Sequence, residues 1–129
     1  MKRWLNVFWL VGALAVYAEG PPQKQFVTLE PYVITNYVKP NGRLGFVNAE
    51  VVLVVLGAED QAALEENLPL VEDYVTQVLS AAPEETLRDV KKRNGELRQS
   101  VLSGLQKLLA EEVGRPLVQD VLFTKFLVQ

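Results

Sequence analysis

The sequence contains no cysteine and no histidine. The first absence excludes disulfides and thiolate metal sites. The second removes the commonest general base, the commonest metal ligand and the usual pH switch. Enzyme readings weaken at once. Clustered positive charge is also scarce. The chain carries 13 Lys and Arg against 16 Asp and Glu, a net charge of −3, and nucleic-acid binding needs grouped cations to neutralise phosphates. The one basic run, Lys91-Lys92-Arg93, is flanked by Asp89 and Glu96 and reads as a solvated helix end. No internal repeat or low-complexity stretch is present. What is present is apolar: 49% hydrophobic against 22% charged residues over 129 positions, the composition of one globular domain.

The first residues form a unit of their own. Met1-Lys2-Arg3 is a short basic leader, and Trp4 to Tyr17 is apolar except for Asn6. Val16-Tyr17-Ala18 supplies a cleavage-like end before Glu19-Gly20-Pro21-Pro22, the three-part plan of a secretory signal. A membrane anchor is the alternative. Trp4 to Ala18 spans about 22 Å as a helix, against a bilayer core of roughly 30 Å. The expectation is a signal peptide over 1–18 with cleavage after Ala18, a linker over 19–25 and one exported domain over 26–129. Both readings take the domain out of the cytoplasm: to the periplasm, or to the inner membrane through a single N-terminal anchor. Removing residues 1–18 takes away two basic residues from a net −3, which leaves about −5.

Phe26 to Val38 is rich in aromatic and β-branched residues and predicts a strand. Pro31 within it cannot donate to a ladder, which predicts an edge or a bulge there. Asn41-Gly42 marks a hairpin turn. A second strand follows from Leu44 to Leu56, with Val47, Ala49, Val51, Leu53 and Val55 on one face at period two; the opposite face carries Phe46, Asn48, Glu50, Val52, Val54 and Leu56, polar near the turn and apolar later, and is expected to become covered towards its end. Gly57 ends it, and Asp60 is placed to cap the next helix. Pro69 predicts a kink or a fresh start capped by Asn67. Leu70, Val71, Tyr74, Val75, Val78 and Leu79 then recur at helical spacing. Pro83 opens a short helix and Asn94-Gly95 reads as a break. Leu97, Val101, Leu105 and Leu108 mark another helix, stopped by Gly114 and Pro116.

The last ten residues, DVLFTKFLVQ, have the texture of a buried strand rather than a frayed end. With Leu117 as its start, strict alternation puts Val118, Leu122, Phe126 and Val128 on one face and Leu117, Val121, Phe123 and Leu127 on the other. Both faces are apolar, so the strand is expected to be covered on two sides. Phe123→Ala would then cost about 3–5 kcal/mol. Because a lone hairpin is marginal, this strand is expected to join the first two. The fold class is α+β: a small antiparallel sheet, made of an N-terminal hairpin and a C-terminal strand, with two or three helices on one face.

No residue set carries chemistry convincingly. Glu65, Glu66, Glu72 and Asp73 lie along a helix with no calcium-type loop and read as a solvated acidic face. Ser103 and Lys107 are one turn apart, without an oxyanion loop or a cause for lysine deprotonation. Tyr32 and Tyr37 read as half-buried sheet tyrosines, with an interface role as the alternative. No catalytic, cofactor-binding or metal-binding residue is assigned, no cofactor is expected, and the expected class is non-enzymatic.

FVTLEPYVITNYV (26–38), LEENLPLVEDYVTQVLS (64–80) and DVLFTKFLVQ (120–129), in this order and spacing, resemble the FliL family of flagellar basal-body proteins. The resemblance implies a periplasmic domain similar to the stomatin and prohibitin (SPFH) scaffolds. It implies self-association into rings around stator units, basal-body partners, and a part in motility, swarming and chemotaxis. It leaves the inner-membrane surface as a further partner and implies no nucleic acid. Two features depart from the family pattern. The leader is short and signal-like where the family has a transmembrane helix, and Lys125 stands where the family more often has an acidic residue. A secreted, FliL-like protein fits both. A soluble periplasmic ligand- or peptide-binding module is the alternative, marked by a sizeable concave apolar pocket.

Overall fold

The computed structural model describes residues 21–129. The expected signal segment, 1–18, lies outside the described residues. The chain runs β1 (Lys24–Thr28), β2 (Val33–Val38), β3 (Leu44–Leu56), α1 (Gly57–Glu65), α2 (Leu68–Ala81), α3 (Glu84–Arg88), α4 (Val90–Lys92), a π-helical turn (Arg93–Leu97), α5 (Arg98–Val113) and β4 (Val118–Val128). This is an α+β domain with a small antiparallel sheet. Residues 24 and 25, expected as linker, already belong to β1.

The sheet is organised around β3. β1 pairs antiparallel with residues 52–56 of β3, and β2 pairs antiparallel with residues 44–49. β4 pairs with 47–55 and so occupies the other edge. The single strand expected over 26–38 is therefore two strands in line along one edge of β3. Thr28 faces Val52 and Val33 faces Ala49, so the four residues 29–32 of the outer strand span only 50 and 51 of β3. Pro31 sits in that bulge, after a cis Glu30–Pro31 peptide, where a missing N–H leaves no ladder gap. The Asn41-Gly42 turn forms as expected. Gly42 has φ 85° and its N–H donates to the Lys39 carbonyl at 2.8 Å, while Asn41 Oδ1 accepts from the Arg43 N–H at 2.9 Å.

Helices cover one face only. Val47, Ala49, Val51, Leu53 and Val55 have no solvent exposure, and Val71, Val75 and Leu79 of α2 and Val101, Leu105 and Leu109 of α5 pack on them within one core. Each of these valines and leucines contributes about 1.5–3 kcal/mol on burial. α2 lies along β2, and α5 lies along β4. Pro69 falls in the first turn of α2 after Asn67, a fresh start rather than a kink, although the Asn67 side chain donates back to the Ala63 carbonyl instead of capping. Gly57 takes φ 83°, so the strand passes straight into α1. Asp60 lies inside that first turn and pairs with Arg115 instead of serving as the cap. Asn94-Gly95 is not a break: the chain stays helical through a π turn into α5. Gly114 ends α5 in the left-handed conformation at φ 93°, as glycine does without a Cβ clash.

β4 corrects the strict alternation. Register shifts lie opposite Glu50/Val51 and Val54/Val55, so Thr124 and Gln119 are extra residues on β4. Such bulges exchange the faces that follow them. Val118, Val121, Phe123, Phe126 and Val128 pair with core positions of β3, whereas Leu122 and Leu127 pair with Val52 and Asn48 on the opposite face. That face is not covered, so the expectation of a strand buried on two sides fails. The Phe123 ring is half-buried, edge-on to Phe126 at 5.2 Å.

Candidate interaction surface

The uncovered face of the sheet is the largest feature that the core leaves unexplained. β1 and β2 contribute Phe26, Ile34 and Val38 to it, β3 contributes Leu44, Phe46 and Val52, and β4 contributes Leu122 and Leu127; registers fix all of them on one side, where Val54 is buried beneath its neighbours. Phe26 (60% exposed), Ile34 (59%), Val38 (61%) and Leu44 (66%) lie open to solvent. Scattered exposed apolar residues are ordinary, but a contiguous apolar face marks an interaction site. A polar stripe crosses its middle. Glu50 on β3 faces Lys125 on β4. Glu50 accepts from Thr124 Oγ1 at 2.7 Å, and Lys125 Nζ reaches over to Tyr32 Oη at 3.4 Å, 5.6 Å from the ring centroid. A depression of about 290 Å³ beside this stripe is lined by Leu29, Glu30, Pro31, Tyr32 and Glu50.

A polar knot holds one end of the sheet. Tyr37 is buried, not half-buried as its strand context suggests; its hydroxyl donates to Glu84 Oε2 at 2.6 Å, with the Gln129 carbonyl oxygen at 3.2 Å. Burial, and then the Glu84 hydrogen bond, push the Tyr37 phenol above its ordinary range. The same bond, with Arg88 beside it, holds the Glu84 carboxyl below its ordinary range. The backbone of Gln129 pairs with Phe46 in both directions at 2.9 Å. Gly45 leaves the room for this: a Cβ there would lie 2.5 Å from the Gln129 carbonyl oxygen and 2.6 Å from the Tyr37 ring. Thus β2, the start of α3 and the end of β4 are tied at one point.

The other residues singled out from the sequence stay apart from both features. Among the described residues, no group of three or more acidic side chains could hold a metal ion, and Glu65, Glu66, Glu72 and Asp73 lie along α1 and α2. Ser103 donates to the Gln99 carbonyl at 2.9 Å, an ordinary helix-surface contact. The basic run is dispersed. Lys92 pairs with Glu85, whose hydrogen bond raises the lysine pKa, and Arg93 donates to the Leu87 carbonyl at 2.8 Å and lies 4.6 Å over the Phe126 ring. Tyr32 is 42% exposed on the open face. The open face itself was partly readable, since Asn48 and Glu50 interrupt the outer period of β3. A second concavity, a groove of about 480 Å³ between the end of α2 and the π turn, has Val78, Ala82 and Leu97 on its walls with Thr86 and Glu96. Among the described residues no helix is long and apolar enough to cross a membrane.

An α+β domain with helices on one sheet face and an open apolar face on the other has the form of an interaction module. Residues 26–129 match the family model of the flagellar basal body-associated protein FliL. The match takes in every described strand and helix except the first two residues of β1, and the chain belongs to the FliL family. Its role is therefore flagellar and associated with the basal body, in a family of structural components. Among curated proteins no match to the chain is found.

Proposed function

We propose that this protein is a non-enzymatic periplasmic scaffold of the flagellar motor. It is exported by its N-terminal segment, associates with itself and stands close to the stator units. The family match over 26–129 carries this reading. The open apolar sheet face supports it, since a surface of that kind favours association. The side chains support it too: the polar groups bind one another in structural contacts, Tyr37 to Glu84 and Ser103 to Gln99. Deletion of the gene should impair swarming and swimming at high load more than free swimming at low load. Normal motility of a clean deletion strain under both loads would refute the reading. N-terminal sequencing of protein recovered from the periplasm tests export, with Glu19 expected as the first residue after cleavage at Ala18.

The groove between α2 and the π turn favours a second reading, a soluble periplasmic module for a small ligand or peptide. It predicts a deletion strain of normal motility and a purified protein whose melting temperature rises with ligand.

A further inference from the structure

We propose that the groove between the end of α2 and the π turn binds a small organic cation, an amine with an apolar body, whose ammonium is received by Glu96. This goes beyond the motor role. It rests on the groove taking a small molecule, as in the second reading above.

The walls select for a donor. Val78, Ala81, Ala82, Pro83 and Leu97 make the apolar part, and Glu96 with the hydroxyls of Thr86 and Ser100 makes the polar part. No side chain that lines the groove carries an N–H among the described residues. Pro83 has no backbone N–H, and the Ala82 N–H is taken by the Leu79 carbonyl at 3.4 Å. An anionic or carbonyl ligand would find only two hydroxyls to donate to it, beside a carboxylate. A ligand that donates meets acceptors.

Charge points the same way. Among the described residues Glu96 forms no ion pair. Its carboxylate accepts from the Thr86 hydroxyl at 3.4 Å, a long contact. The neighbouring cations are engaged elsewhere: Arg88 with Glu84, Lys92 with Glu85, and Arg93 with the Leu87 carbonyl and the Phe126 ring. Lys92 feels the Glu96 charge as well, but it does not line the groove. α2 ends at the same wall without a basic residue in its last turn, and a helix C-terminus carries partial negative charge that favours a cation.

The backbone holds Glu96 in place. Residues 93–97 wind as a π turn, a rare geometry that gathers at functional sites. Leu97, next in the turn, is buried in the core and anchors it, while Glu96 stays exposed. The volume of about 480 Å³ falls in the range of small-molecule sites, about 300–1,000 Å³. Helices and their connections line the groove, and no strand edge does, so an extended peptide would have no ladder to join. A free amine therefore fits better than a segment of another protein.

Titration calorimetry of the full-length protein with three probes of one shape tests the site: phenylbutylammonium, phenylbutanol and phenylbutanoate. The ammonium is expected to bind with a millimolar Kd or tighter, and the alcohol and the carboxylate at least tenfold more weakly. Glu96→Gln keeps the size of the side chain, and should weaken the ammonium about tenfold while leaving the alcohol unchanged. Ala81→Trp fills the groove and should abolish binding of all three. Both variants should melt with the wild type. Equal binding of the three probes, or ammonium binding that Glu96→Gln does not weaken or Ala81→Trp does not remove, would overturn the site. Binding of the alcohol or the carboxylate alone, removed by Ala81→Trp, overturns the cation and keeps the small-molecule groove. No binding of any probe overturns both. Tighter binding of Nα-acetyl-lysine N-methylamide than of phenylbutylammonium would assign the groove to a lysine of a partner protein and overturn the free amine.

Discussion

Gly104→Ala gives a sharp test of how the two long helices are packed. Gly104 lies mid-way along α5, where alanine is normally preferred by about 0.8–1 kcal/mol. Here the Tyr74 side chain of α2 lies against the helix backbone. A Cβ at 104 would stand 2.7 Å from Tyr74 Cε2 and closer still to Cζ and Oη. No small adjustment relieves three contacts with one rigid ring, so the ring must swing into solvent. Tyr74 is half-buried and packed against the core. Losing about 100 Å² of its burial at roughly 25 cal/mol/Å² costs about 2.5 kcal/mol. Set against the helix gain, Gly104→Ala should destabilise by about 1.5 kcal/mol, a fall in Tm of about 6–8 °C for a domain of this size. In a Tyr74→Ala background the clash is absent, and the same change should stabilise by about 1 kcal/mol. Urea unfolding followed by far-UV circular dichroism in a double-mutant cycle measures both values. A stabilising Gly104→Ala in the wild-type background, or equal effects in the two backgrounds, would refute the packing described.

Gly45→Ala sets a methyl against the Gln129 carbonyl oxygen and the Tyr37 ring. The backbone atom cannot turn aside, so a loss of about 2–3 kcal/mol is expected, with faster hydrogen exchange at Phe46 and Gln129. Tyr37→Phe acts through pH. Glu84 has a folded pKa below its unfolded value of 4.5, so its contribution is complete above that value and is lost as pH falls through the folded pKa. The Tyr37 pKa is raised, so its contribution is complete below about 10 and is lost as pH rises through the folded pKa. In Tyr37→Phe the alkaline slope of the urea midpoint should disappear and the acidic slope should shrink, Arg88 still holding Glu84 down, and unchanged slopes would show the knot to be energetically silent. Phe123→Ala should cost about 1.5–3 kcal/mol, less than full burial would require, because the ring is half-buried beside Phe126. Denaturant unfolding decides between the two ranges.

The bounds of β3 and its buried face were legible because period two runs unbroken from Val47 to Val55 and Gly42 and Gly57 mark its ends. The start of α2 was legible because a proline inside a helix has one inexpensive place, the first turn. β4 was legible as a strand but not in its faces. Thr124 and Gln119 are ordinary strand residues, and nothing in their chemistry marks them as the extra members of a bulge; only pairing with β3 reveals it. The π turn escaped for a similar reason: Asn94-Gly95 commonly ends a helix, and only the packing of Leu97 and Val101 on the core keeps the chain wound through it. The open face was half legible. Its polar stripe showed on β3, whereas the matching residues on β1, β2 and β4 lie far away in sequence.

One consequence of the strand arrangement is mechanical. β1 and β4 flank β3 and run in the same direction. Lys24 is level with Leu56 and Gln129 with Phe46, so the two points lie at opposite ends of the sheet, about 33 Å apart. A pull between them drags both outer strands lengthwise past the middle one. Every rung of the two ladders then bears load together, instead of parting one after another as in a peeled zipper. A domain wired in this way resists tension along its length, a useful property beside a rotating machine.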